Sequence, residues 1–91
     1  MPVVVDVEYC GPCGYQGIFE DLASIIESNI PNVAVHGNPE GRARSFEVKI
    51  NDTLVFSRLI SNAFPDPNEI AEIAAASCVG VTPTWATHMM S

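Results

Sequence analysis

Two cysteines with two residues between them, Cys10-Gly11-Pro12-Cys13, follow directly on the β-branched run Val3-Val4-Val5-Asp6-Val7-Glu8-Tyr9. That spacing lets the sulfurs close a small disulfide, and a thiolate of such a pair can exchange with an external disulfide. A strand handing over to a helix at this point would bring the sulfurs to first-turn amides that have no intrahelical acceptor. There the macrodipole adds partial positive charge. A thiolate in such a place is favoured over the thiol, and its pKa drops from about 8.5 into the range of roughly 3.5 to 7.5. Gly11 permits close approach, and Pro12 is expected at the first helical position, where a missing N–H costs nothing. Cys10 and Cys13 are therefore the candidate catalytic residues of a redox dithiol.

The same spacing serves zinc, which needs four ligands. The further candidates are Cys78, His36 and His88, with neither a second dithiol nor a histidine pair at ligand spacing. Cys78, at the end of the last helix, is expected to be a small buried apolar residue. His36 and His88 have no adjacent nucleophile or paired carboxylate and are assigned to the surface and the tail. Asp6 could accept a proton near the dithiol, but its strand parity groups it with Glu8 on a wet face. Tyr9 and Tyr15 flank the motif and are expected to pack. Trp85 lies in the tail, where it could dock onto the domain or onto a partner.

Composition narrows the functional classes. Ninety-one residues, 47% hydrophobic and 16% charged, suffice for one sheet and one layer of helices. Eleven acidic against four basic residues give a net charge of −7, which argues against nucleic acid and against anionic membrane surfaces as partners. No stretch approaches the ~20 apolar residues of a membrane span, and no leader is recognisable at the N-terminus. A cytoplasmic location is the expectation. Three cysteines make an odd count, unlike a secreted disulfide framework, so the dithiol would cycle rather than serve as a staple.

The elements that must position the pair read off the periodicities. Residues 2–9 form a strand, and residues 14–29 a helix with Ile18, Leu22, Ile25 and Ile26 at helical spacing until Pro31. Residues 32–36 make a second strand, parallel to the first, followed by a polar loop over 37–44. Phe46, Val48 and Ile50 alternate with Glu47 and Lys49, Asn51-Asp52 supplies a tight turn, and Leu54, Val55, Phe56 and Leu59 form the return strand. Asp66, Pro67 and Glu69 mark the start of a last helix whose buried stripe is Ile70, Ile73 and Ala74. Asp6, Glu8, Glu47 and Lys49 leave one sheet face to water. The expected fold is α/β, two-layered, in the order βαβββα, with a four-stranded mixed sheet and both helices on one face. The domain is placed at 1–79 and a tail without periodicity at 80–91.

Tyr9-Cys10-Gly11-Pro12-Cys13-Gly14-Tyr15, then Phe46-Glu47-Val48 before a hairpin, then Phe64-Pro65-Asp66 opening the last helix, together resemble the selenoprotein W-like (Rdx) family. The resemblance spans most of the chain and implies a thioredoxin-like fold. It departs at Asn62-Ala63, where the family often has a glycine pair, and at Arg44-Ser45, where a glycine is common. Ser45 also stands where a thioredoxin carries a cis-proline. Thioredoxin-like geometry would expose Cys10 for attack and hold Cys13 as the resolving thiol. In selenium-containing relatives selenium replaces sulfur at the position of Cys13, which implies that this atom can also be the reactive one; the expectation is the pair, with Cys10 as the attacking thiol. The implied function is a small thiol-disulfide oxidoreductase acting on a protein disulfide or an oxidised thiol, with glutathione as a plausible co-reductant and no further cofactor. The alternative is a redox-responsive interaction module, with a 14-3-3-type protein as the partner the resemblance suggests. A structural zinc site is the third reading.

Overall fold

A computed structural model of the chain describes residues 3–87 and the backbone of 89 and 90. The chain runs β1 (Val4–Tyr9), α1 (Gln16–Asn29), β2 (Ala34–Asn38), β3 (Phe46–Ile50), β4 (Thr53–Ser57), α2 (Arg58–Ser61), β5 (Phe64–Pro65), α3 (Pro67–Cys78) and β6 (Met89–Met90). The first four strands make one mixed sheet in the order β2-β1-β3-β4. β1 runs parallel to β2 and antiparallel to β3, and β3 is antiparallel to β4. This is the expected two-layer thioredoxin-like arrangement, with α1 and α3 packed side by side on one face.

Alternation in β1 builds the core. Val5, Val7 and Tyr9 are buried and stand opposite Ile50, Val48 and Phe46 of β3. Leu22 and Ile26 of α1 and Ile70, Ala71 and Ala74 of α3 cover them, because residues spaced three and four apart share one helix face. The hairpin turn is the expected one: Asn51 and Asp52 both adopt left-handed backbone (φ 49° and 68°), as a two-residue turn between twisted strands requires. Asp66 caps α3 by accepting the Asn68 N–H (2.9 Å), with Pro67 in the first turn.

Three expectations need correction. Leu59 is not in the return strand, which ends at Ser57; it sits in α2 and is exposed. Ser57 Oγ accepts the Ile60 N–H (3.2 Å) and so starts a helical turn there. A register shift at Val48/Lys49 breaks the strict alternation of the hairpin, and Val55 and Phe56 are both buried. Glu47 is not on a wet face but is 5% exposed.

The segment after α3 is anchored to the domain. The Ala86 N–H donates to the Val55 carbonyl (2.8 Å) and Ala86 is buried. Thr87 donates from its N–H and its hydroxyl to the Glu69 carboxylate at 2.9–3.1 Å. β6 then pairs antiparallel with β5. Trp85 is exposed, and His88 lies outside the described residues.

Candidate functional site

β1 ends at Tyr9 and delivers Cys10 immediately after it. The Cys10 N–H donates to the Ser45 carbonyl (3.0 Å), and the Gly11 N–H donates to the Pro39 carbonyl (2.9 Å). Cys10 thus stands between the end of β3 and the 39–41 segment, forming a bridge with Glu40. Cys10 and Cys13 are joined as a disulfide, with their Cα atoms 5.3 Å apart.

The local backbone differs from the expected helix start. Residues 11–15 are turns, closed by the Gly14 N–H donating to the Gly11 carbonyl (3.0 Å), and the helix proper begins at Gln16. Gly14, at φ 82°, occupies the left-handed region that a side chain disfavours, and this prevents α1 from extending back to Cys13. Pro12 is therefore in a turn rather than at the first helical position, and neither sulfur lies within the first turn of α1.

Exposure of the two cysteines is the reverse of the thioredoxin-like expectation. Cys10 is 5% exposed, whereas Cys13 is solvent-exposed. A strand residue flanked on both sides by backbone is covered; a residue at the tip of a four-residue turn is not. Cys78 is also exposed and free, contrary to the expected buried position, because it occupies the last position of α3, beyond the stripe that faces α1.

Around the dithiol, Tyr9 stacks on Phe19 (centroids 5.1 Å, planes 15° apart) and is buried, as expected for packing. Tyr15 meets Phe64 edge-on at 5.0 Å and accepts a hydrogen bond from Arg58 Nε (3.2 Å). The Arg58 guanidinium in turn lies 4.3 Å over the Phe64 ring. Arg58 thereby ties the residue two positions after Cys13 to α2 and β5.

Beneath the other end of the pair lies a polar cluster on the open face of the sheet. Glu8 accepts from the Arg42 backbone N–H (2.8 Å) and pairs with its guanidinium (2.9 and 3.2 Å). These hydrogen bonds from Arg42 hold the Glu8 carboxyl below its ordinary value. Glu47 accepts from the Phe46 N–H (3.1 Å), the Arg58 N–H (2.9 Å) and the Ser57 hydroxyl, so a buried carboxylate organises the ends of β3 and β4. Asp6, half-buried, lines with Glu8, His36, Arg42, Glu47 and Lys49 a shallow cavity of about 360 Å³ on this face. Among the described residues, no three His, Cys, Asp or Glu side chains converge as a metal site.

Sequence reasoning did not single out Glu47 or Arg58 as parts of this neighbourhood, and it reached Ser45 only through the family resemblance. For Glu47 the signal was present as an acid between two core residues, Phe46 and Val48, in a hairpin strand. For Arg58 no local pattern existed, since its partners Tyr15 and Phe64 are brought together only by the fold.

A mixed four-stranded sheet with helices on one face and a dithiol closing the end of its first strand defines a thioredoxin-like protein of the redox type. The chain belongs to the Rdx family, whose model matches residues 4–75. It is similar to migration and invasion enhancer 1 of Bos taurus and of Mus musculus, each 36% identical over 70 residues. That match covers 77% of this chain but 60% of each relative, so the chain spans about three fifths of their length. Its fold is shared with a Bordetella parapertussis protein solved by crystallography (TM-score 0.71, 16% identity, 86% of this chain and 99% of that one). It is shared also with a selenoprotein W-related protein from Vibrio cholerae (TM-score 0.67, 18% identity, 85% and 98% covered).

Proposed function

We propose that this protein is a thiol-disulfide oxidoreductase in which Cys13 exchanges with the substrate and Cys10 resolves the product. The observation that carries the assignment of roles is the difference in exposure within one disulfide: Cys13 is open to solvent while Cys10 is 5% exposed. Attack on a disulfide needs in-line access to one sulfur, and the partner then leaves as thiolate. In the forward direction the Cys13 thiolate attacks a substrate disulfide R–S–S–R′, forming Cys13–S–S–R and releasing R′–S⁻. The Cys10 thiolate next attacks the Cys13 sulfur, closing the intramolecular disulfide and releasing R–S⁻. Two electrons pass to the substrate, and two thiols such as glutathione return them. A cytoplasmic setting, where thiols are kept reduced, suits that cycle.

Equilibration with reduced and oxidised glutathione tests the reading. A reversible two-electron transition within about −220 to −320 mV is expected, and it disappears in Cys10→Ser and in Cys13→Ser. Cys10→Ser is expected to accumulate a mixed disulfide at Cys13, whereas Cys13→Ser is not. Failure of an intramolecular disulfide to form at any ratio sinks the proposal.

A second reading, a redox-responsive interaction module, draws support from α2. Leu59 and Ile60 are exposed (39% and 71%) directly after Arg58, the residue bonded to Tyr15 beside the dithiol. Redox-dependent capture of a partner protein, including one of 14-3-3 type, without turnover of a model disulfide would favour it.

A further inference from the structure

Cys10 closes a polar corner in which three of the nearby amides are already spent. The Cys10 N–H is used by the Ser45 carbonyl, the Gly11 N–H by Pro39 and the Gly14 N–H by Gly11. Arg42 is paired with Glu8, and Glu8 and Glu47 stand on the same face as Cys10 by strand parity. A thiolate at Cys10 would thus share its face with two carboxylates, and the Cys10, Gly11 and Gly14 amides are already committed.

One group in that corner is unspent. Ser45 lies directly across from Cys10, one step beyond the Tyr9–Phe46 pair of the ladder. Opposed residues of an antiparallel ladder project to the same face, with Cβ atoms about 4.5–5.5 Å apart. Gly41 packs on this corner: its N–H donates to the Tyr9 carbonyl (3.1 Å), and a Cβ at Gly41 would lie 2.7 Å from Ser45 Oγ and press on the Glu8 side chain. Ser45 is 0% exposed. Its Oγ leans toward the Glu8 carboxylate, a hydrogen-bonding interaction that is the smallest of the causes lowering that carboxyl's pKa, but no acceptor stands at full hydrogen-bond geometry. Buried hydroxyls are ordinarily paired, so an orphan asks for a partner present in another state of the molecule. A disulfide sulfur is a weak acceptor and a thiolate is a strong one.

We propose that Ser45 Oγ–H is the hydrogen-bond donor to the Cys10 sulfur whenever that sulfur carries the negative charge of thiol-disulfide exchange. The proposal rests on the oxidoreductase reading above. When an external thiolate attacks Cys13, a new S–S bond forms there and the Cys10 sulfur departs with the electron pair. Ser45 then rotates its hydroxyl onto the departing sulfur. In the reverse step, the same contact holds the Cys10 thiolate in place as it attacks the mixed disulfide.

The test uses the full chain with Cys78→Ser, so that only the dithiol reacts, and follows the rate at which dithiothreitol opens the disulfide. Ser45→Ala is expected to slow opening about ten- to a hundredfold, the worth of one hydrogen bond to a charged group. The same variant should leave the melting temperature of the oxidised protein unchanged or raised, since it removes an unpaired buried hydroxyl; a packing role would lower it. Ser45→Thr, which keeps the hydroxyl, should restore the rate. Wild-type opening in Ser45→Ala overturns the proposal, and so does a slow rate accompanied by a lost fold. The glutathione equilibration keeps the two claims apart: normal cycling with an unaffected Ser45→Ala defeats only the donor, whereas absence of the disulfide defeats both.

Discussion

Under α1 and α3, Val5, Val7 and Tyr9 of β1 meet Ile50, Val48 and Phe46 of β3 as a continuous apolar floor. On the opposite face the same strands carry Asp6, Glu8, Lys49 and Glu47, and here the contacts are few, directional and charged. The first face stabilises by area removed from water and tolerates local adjustment. The second adds little area, but it fixes the 39–45 segment and the ends of β3 and β4 around Cys10. One face of the sheet thus carries the apolar core, and the other sets the surroundings of Cys10.

Changes on either face sharpen that contrast. Phe46 is fully buried and contacts the rings of Tyr9 and Phe64. Phe46→Ala should cost about 3–5 kcal/mol in urea unfolding, the largest loss expected here, by leaving a cavity in the floor. A loss under 1 kcal/mol would show that the apolar face is not the principal source of stability. Glu47→Ala leaves the Phe46 and Arg58 amides and the Ser57 hydroxyl without their acceptor. It should cost about 1–3 kcal/mol. Because the Phe46 N–H, next to the Ser45 that covers Cys10, then loses its acceptor, alkylation of Cys10 in the reduced protein should also speed up.

The smallest effect belongs to Arg42. Its hydrogen bonds hold the Glu8 carboxyl below the ordinary 4.5, so the folded form binds this proton less readily than the unfolded chain. The associated stability is complete above pH 4.5 and is lost as the pH falls through the lowered folded value. Arg42→Ala should therefore melt slightly below wild type at neutral pH, and the two curves should converge in acid. A gap that persists unchanged well below pH 4.5 would place the role of Arg42 in packing rather than in its pairing with Glu8.

Much of this architecture was legible because it rests on local periodicity. Val5, Val7, Leu22, Ile26, Ile70 and Ala74 are buried where strand and helix spacing put them, and Asn51-Asp52 makes the expected turn. The departures come from positions where a distant partner overrides the pattern. Glu47 is buried although its parity matches that of exposed Lys49, because Ser57 and Arg58 supply donors across the hairpin. Leu59 leaves the strand because Ser57 caps a turn. The aperiodic tail is held by Val55 and Glu69, which are far from it in sequence.

Within the dithiol the division is the same. The spacing of Cys10 and Cys13 after a β-branched run was sufficient to specify a pair of sulfurs able to join, since that depends on three residues of chain. Which sulfur meets solvent was not specified by spacing. Gly14 in left-handed backbone keeps the helix from reaching Cys13, and the ends of β3 and of the 39–41 segment close over Cys10. Exposure depends on what lies across the sheet, and only the tertiary structure brings Ser45, Gly41 and Glu40 to Cys10, the residue after β1.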